Sequence, residues 1–164
     1  MVKQEQAQVK KEAKKTDEKK QPQDVIVDGT NLIAGRLCSH VAKMLINGSR
    51  VSIVNSENIM FSGSKEMIIN EYRKFLEISS ITNPKFGPFH PRRPDTMITK
   101  MVRGMLPKNK PSGQTAFKRL RAYLGVPNEL KSKKTIQFDD AKIRKPAPYY
   151  TTFGDLGRTV GWHE

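Results

Sequence analysis

Strand, helix and strand follow one another within about 30 residues, and that order limits the folds open to this chain. VIVD (25–28) is a short apolar run that ends at Gly29, the form of a buried strand. Leu32, Ile33, Leu37, Val41, Met44 and Leu45 then recur at three- and four-residue steps, one stripe of a helix. Thr30 or Asn31 is expected to cap that helix and Asn47–Gly48 to stop it. VSIVN (51–55) alternates as a strand, and Asn58–Phe61 offers a second short apolar run. Two strands joined by a helix form a βαβ unit, which needs a parallel pair and points to an α/β domain.

Helical spacing returns over 65–79 through Ile68, Tyr72, Phe75 and Leu76. It breaks at NPKFGPFHPRRPD (83–95), whose four prolines and one glycine forbid a helix or central strand and predict an extended basic loop. A helical rhythm resumes over 96–106 with Met97, Met101 and Leu106. KNKPSGQ (108–114) reads as a turn, and 115–125 as helix or helix passing into strand. From Asn128 the chain reads as irregular, with an aromatic cluster at Tyr149, Tyr150 and Phe153. Residues 1–24 are Lys, Glu and Gln with almost nothing to bury and are expected to be a disordered charged tail. The body is expected over 25–130, and 131–164 as a basic, then aromatic, C-terminal extension.

Charge adds the functional constraint. The formal net charge is +14, and residues 85–121 alone carry ten basic groups against Asp95. Such a segment repels itself unless a polyanion compensates it. Nucleic-acid affinity rests on phosphate neutralisation with counterion release, for which clustered Lys and Arg are the required chemistry. The candidate contacts are Lys85, Arg92, Arg93, Lys100, Arg103, Lys108, Lys110, Lys118, Arg119 and Arg121, with His90 in the loop and Lys131, Lys133, Lys134, Arg144 and Lys145 beyond. Arginines fork onto phosphate oxygens, whereas lysines act as point charges. Phe86 and Phe89 have the chemistry to stack on unpaired bases, although packing the proline-rich loop onto the body is the expected role. Gly87 and Gly104 allow close backbone approach. Neither helix-turn-helix nor zinc-finger signatures occur, nor an RRM-type aromatic-glycine strand motif, and charge does not separate RNA from DNA; the reading is RNA more than DNA, through shape.

Other classes are argued against. Apolar runs of three or four residues cannot span a membrane, and the N-terminus lacks the form of a secretory signal or mitochondrial presequence. The single Cys38 excludes an internal disulfide and reads as a small packing residue. GTNLIAGR (29–36) fails as a phosphate-binding loop: five residues separate its glycines, and Arg36–Leu37 follow where Lys and Ser or Thr are needed. His40, His90 and His163 stand too far apart for a helical metal pair, and Asp139 and Asp140 are adjacent and diverge. No catalytic residue, metal, cofactor or small-molecule substrate is expected.

Several blocks in order resemble one family. VIVDGTNLIAGRLCSHVAKML (25–45), VSIVNSENIMFSGSK (51–65) and MVRGMLPKNKPSGQTAFKRLRAYLGVPNE (101–129) are similar to the universal ribosomal protein L-thirteen family of the large subunit. TNPKFGPFHPRRPD (82–95) and DLGRTVGWHE (155–164) resemble its archaeal branch. Residues 1–24 are unlike the usual short start, and the C-terminal helical extension of eukaryotic members is missing. The resemblance implies a Rossmann-like three-layer α/β domain with a short, mostly parallel sheet. It also implies a non-enzymatic role in the cytoplasmic ribosome, contact with 23S-type rRNA and neighbouring large-subunit proteins, and a part in early subunit assembly. The competing reading is a free-standing RNA- or DNA-binding protein not stoichiometric with ribosomes.

Overall fold

A computed structural model describes residues 23–163, so the tail expectation lies, up to residue 22, outside the described residues. The first strand, β1 (Asp24–Asp28), buries Val25, Ile26 and Val27. β2 (Arg50–Val54) runs parallel to it in the register Asp24↔Arg50 to Asp28↔Val54. Between them lies α1 (Ala34–Ile46), which buries Leu37, Cys38, Val41 and Leu45. The helix stops where expected: Gly48 takes φ +103°, and the N–H groups of Asn47 and Gly48 bond back to Lys43 and Leu45.

The expected cap is corrected. The N-cap position is Ile33, with no side-chain cap, and Thr30 instead donates its N–H (3.1 Å) and hydroxyl (2.8 Å) to Asp28 Oδ1. Asn31 sits in the left-handed region at φ 58°. Residues 29–33 are needed to carry the chain off the sheet: Leu32 and Ile33 form isolated bridges to Lys142 and Met60 before the helix can start.

β3 (Met60–Ser62) is followed by α2 (Lys65–Glu77), which has no fully buried residue and leans on the core through Ile68, Ile69, Tyr72 and Leu76. The proline-rich segment is loop apart from one turn of 3-10 helix at Pro84–Phe86. α3 (Pro94–Met105) starts two residues before the expected point, because proline is tolerated in a first helical turn. For the same reason α4 (Pro111–Lys118) begins inside the stretch expected to be a turn. β4 (Leu120–Ala122) pairs parallel with β2.

From Asn128 the chain is mostly loop and single turns, with three additions. β5 (Thr135–Ile136) pairs parallel with β1, β6 (Tyr150–Thr152) pairs antiparallel with β3, and α5 (Phe153–Thr159) is capped by the Thr152 hydroxyl, which accepts from Asp155 N–H at 3.0 Å. The main sheet therefore has the order β4-β2-β1-β5, all parallel, beside a two-stranded antiparallel pair.

One core joins these pieces. Val25, Val27, Val51, Ile53 and Leu120 lie on one sheet face with Leu37, Val41 and Leu45 of α1, Met97, Ile98 and Val102 of α3, and Phe153 and Leu156 of α5. Each large side chain so buried contributes about 1.5–3 kcal/mol. α3 turns Met97, Ile98 and Val102 inward, which leaves Lys100 and Arg103, three residues apart, exposed on its outer surface.

Candidate nucleic-acid interface

Open parallel sheets bind ligands outside the carboxyl ends of their strands, where the strand order reverses. Here β1 is that point, flanked by β2 and β5. Asp28 ends β1, and the chain's own groups saturate its carboxylate: Asn55 Nδ2 (2.9 Å), Thr30 N–H and hydroxyl, and Gln137 Nε2 (2.8 Å) all donate to it. Burial pushes this carboxyl up, but the hydrogen bonds together outweigh it and hold it below its ordinary value. A Cβ on Gly29 would lie 2.7 Å from Ile59 Cγ1, so this end of the sheet is packed by protein. The failed phosphate-loop reading of GTNLIAGR has its physical counterpart there.

The opposite ends of the strands are cationic. A groove of about 440 Å³ is lined by Arg50, Lys118, Arg119, Arg121 and Lys133, with Asp24 the one acid on its wall. β2–β4 register sets this up, because Arg50 precedes Val51, the partner of Leu120, and Ser52 pairs with Arg121. Arg121 Nη1 donates to the carbonyls of Leu120 (2.9 Å) and Lys118 (3.3 Å), which holds its guanidinium along the strand end. Arg119 is placed differently from its neighbours. Its Nη2 donates to the Leu45 carbonyl at 2.7 Å, so the charge closes the C-terminus of α1. Arg50 was not among the expected contacts; in sequence it is a lone cation between Asn47-Gly48-Ser49 and Val51-Ser52, and only strand pairing brings it into the groove with Arg121.

The second basic surface is the proline-rich loop with α3. Lys100 Nζ donates to the Phe89 carbonyl (2.6 Å) and lies 4.8 Å over the Phe75 ring. His90 packs edge-on against Phe75, with ring centroids 4.3 Å apart, and its Nε2 lies 2.6 Å from the Ile78 carbonyl. The Tyr72 hydroxyl donates to the Pro91 carbonyl, and burial pushes that phenol up to about 12 against the opposing effect of Arg92. His90 and Lys100 thus fasten the loop to α2 and α3. The packing role expected for Phe86 and Phe89 is corrected: they are 82% and 81% exposed. Prolines and the His90, Lys100 and Tyr72 bonds already hold the loop, so its phenylalanines are not needed as anchors.

Lys85, Arg92, Arg93, Lys108, Lys110, Lys131, Lys133, Lys134, Arg144 and Lys145 are exposed. Arg93 pairs with Asp95 at 3.2 Å, and Arg103 lies 5.9 Å over the Phe117 ring. Lys145 lies 5.6 Å over the Tyr149 ring, and the Tyr150 hydroxyl accepts from the N–H groups of Arg144 and Lys145, both at 3.2 Å. The expected residues therefore separate into the groove at the strand ends, the loop–α3 surface, and the Arg144–Lys145 corner. Cys38 is a buried packing residue whose thiol is pushed up to about 12 by burial. His40 stacks on Phe138 at 4.6 Å. Among the described residues no group of His, Cys, Asp and Glu is arranged to hold a metal ion, and no helix is long and apolar enough to cross a membrane.

A parallel α/β sheet with its usual crevice filled and its cations displayed outside defines a class of basic α/β protein. The family model for ribosomal protein L13 matches residues 22–129. The chain is 42% identical over 140 residues to the large ribosomal subunit protein uL13 of Aeropyrum pernix, covering 85% of this chain and 90% of that protein. It is 39% identical to uL13 of Sulfolobus acidocaldarius (86% and 95% covered) and 41% identical to that of Methanococcoides burtonii (83% and 96%). The chain belongs to the ribosomal protein L13 family, in its archaeal form, a family of structural and not enzymatic proteins.

Proposed function

We propose that the chain is a structural constituent of the large ribosomal subunit that holds 23S-type rRNA on two cationic surfaces and takes part in early subunit assembly. One observation carries this reading. The groove at the amino ends of β1, β2 and β4 and the loop–α3 surface place their cations outward, and among the described residues Arg93 is the one expected contact that a carboxylate neutralises. Lys118, Arg121, Lys133 and Arg50 pair with phosphates in the groove; Lys85, Arg92, Arg93 and Arg103 do so at the loop; Lys108, Lys110, Lys131, Lys134, Arg144 and Lys145 extend the two. Arg119 serves the same end by fixing the helix behind the groove. Neighbouring large-subunit proteins share the remaining surface.

The test is sucrose-gradient sedimentation of the native protein at low and moderate salt. About one copy per large subunit, kept through moderate salt and released by ribonuclease, is the expected result. Protein at the top of the gradient, or spread over DNA, refutes the reading and favours a free-standing nucleic-acid binder. Charge reversal at Arg121 and Lys133 is expected to lower occupancy and to flatten its salt dependence by about 0.7–0.9 per lost phosphate contact.

A further inference from the structure

Between the proline-rich loop and α3 lies a groove of about 550 Å³, whose mouth is basic and whose lining is mainly apolar. That is the size of a ligand pocket, roughly 300–1,000 Å³. Phe89 and Pro91 form one wall, Thr99 and Lys100 the other, and Phe117 lies below. Neither wall is loose. The loop is fastened at three successive residues: the Phe89 carbonyl to Lys100 Nζ, His90 to the Ile78 carbonyl, and the Pro91 carbonyl to Tyr72. Phe89 is held by its backbone yet its ring is 81% exposed. Arg103 stands at the mouth over the Phe117 ring.

We infer that this groove is a pocket for one unpaired RNA base, stacked on Phe89 above the Phe117 floor, with its phosphate held by Arg103. The inference rests on the RNA-facing reading above and names what one of its surfaces takes. An apolar slot with one aromatic wall and an aromatic floor suits the face of a base, which a duplex keeps stacked inside. The occupant is RNA and not a neighbouring protein on charge grounds, since residues 85–121 carry ten cations against one acid. The pocket's two threonines offer a base edge no donor. The Thr96 and Thr99 hydroxyls donate to the carbonyls of Arg93 (2.8 Å) and Asp95 (2.7 Å), so neither proton is free to recognise a base.

Fluorescence anisotropy of the full chain, with labelled single-stranded hexa-adenylate and with a short RNA duplex, tests this. Phe89→Ala removes an exposed ring that the fold does not use, and Thr99→Trp fills the groove without altering charge. Each is expected to weaken the single strand roughly tenfold while leaving the duplex within about twofold, from the usual worth of one base stacked on an aromatic ring. Arg103→Gln is expected to weaken both. Loss from Arg103→Gln alone, with Phe89→Ala and Thr99→Trp inert, overturns the pocket and leaves the RNA-facing reading intact. Failure of the unaltered chain to bind either probe at low salt overturns both. In assembled large subunits, a benzophenone side chain placed at Phe89 is expected to crosslink to rRNA; crosslinking only to a protein overturns the inference.

Discussion

Gly113 is buried in the first turn of α4, and the turn before it presses backbone against it. A Cβ built there lies 2.7 Å from the Pro107 carbonyl carbon and 3.0 Å from Pro107 Cγ, and closer still to the carbonyl oxygen. Carbon atoms in good contact sit about 3.5–4.0 Å apart, so Gly113→Ala demands a displacement of nearly 1 Å. The clashing atoms are backbone, and the same Pro107 carbonyl accepts from Lys110 N–H at 3.2 Å, so moving it breaks the turn. Overpacking costs about 1–3 kcal/mol and a lost hydrogen bond about 1, against a helix-propensity gain for alanine of about 1. The net expectation is a loss of about 1–3 kcal/mol, or roughly 3–10 °C in Tm for a chain of this size. Gly104→Ala is the matched control: nothing lies within 4 Å of its Cβ and it sits in the last turns of α3, so about 0.5–1 kcal/mol of stabilisation is expected. Thermal unfolding followed by far-UV circular dichroism compares the three proteins. A Gly113→Ala variant as stable as the unaltered chain would refute the close approach of Pro107 and with it the geometry that displays Lys108 and Lys110.

Asp28 has its carboxyl held below the ordinary value of 3.8, so its stabilisation is fully present above that pH and drains away as acid carries the solution down through the folded value. Asp28→Asn is therefore expected to flatten the loss of stability below about pH 4 in acid titrations, and an unchanged acid limb would count against the network. Arg119→Met removes the bond to the Leu45 carbonyl and is expected to cost about 1–2 kcal/mol in urea unfolding, whereas Lys118→Met, at an exposed site, stays within about 0.5 kcal/mol. Cys38, fully buried and with its thiol raised to about 12, is expected to react with a disulfide reagent only in denaturant; prompt labelling of the folded protein would contradict its placement.

Periodicity made the first βαβ unit readable, because its stripe of Leu37, Val41 and Leu45 faces a sheet whose strands alternate in the same 30 residues. Proline at the start of α3 and α4 hid two helix beginnings, since the same residue that breaks a helix interior fits its first turn. β5 is two residues long and pairs with a strand more than a hundred positions away, so no local pattern can announce it. The candidate interface divided in the same way. Clustered charge is visible in a string of letters, but which cation faces outward is a property of pairing and of helix ends. Arg119 and Arg121 differ by two positions yet have separate tasks, and Arg50 joined the groove only through the β2–β4 register. Phe86 and Phe89 stand exposed because polar bonds already anchor their loop, which side-chain apolarity alone does not reveal.

The last strand of the main sheet and the last helix of the core come from the final third of the chain, whereas β1, with which β5 pairs, lies within its first thirty residues and the α3 residues that share a core with α5 lie near position 100. β1, α1 and β2 are therefore synthesised long before Phe153 and Leu156, which complete the core they share. Residues 85–121, with ten cations against one acid, likewise precede the last pieces of the core in synthesis. A chain truncated before α5 lacks Phe153 and Leu156, both fully buried here, and is expected to leave the core open.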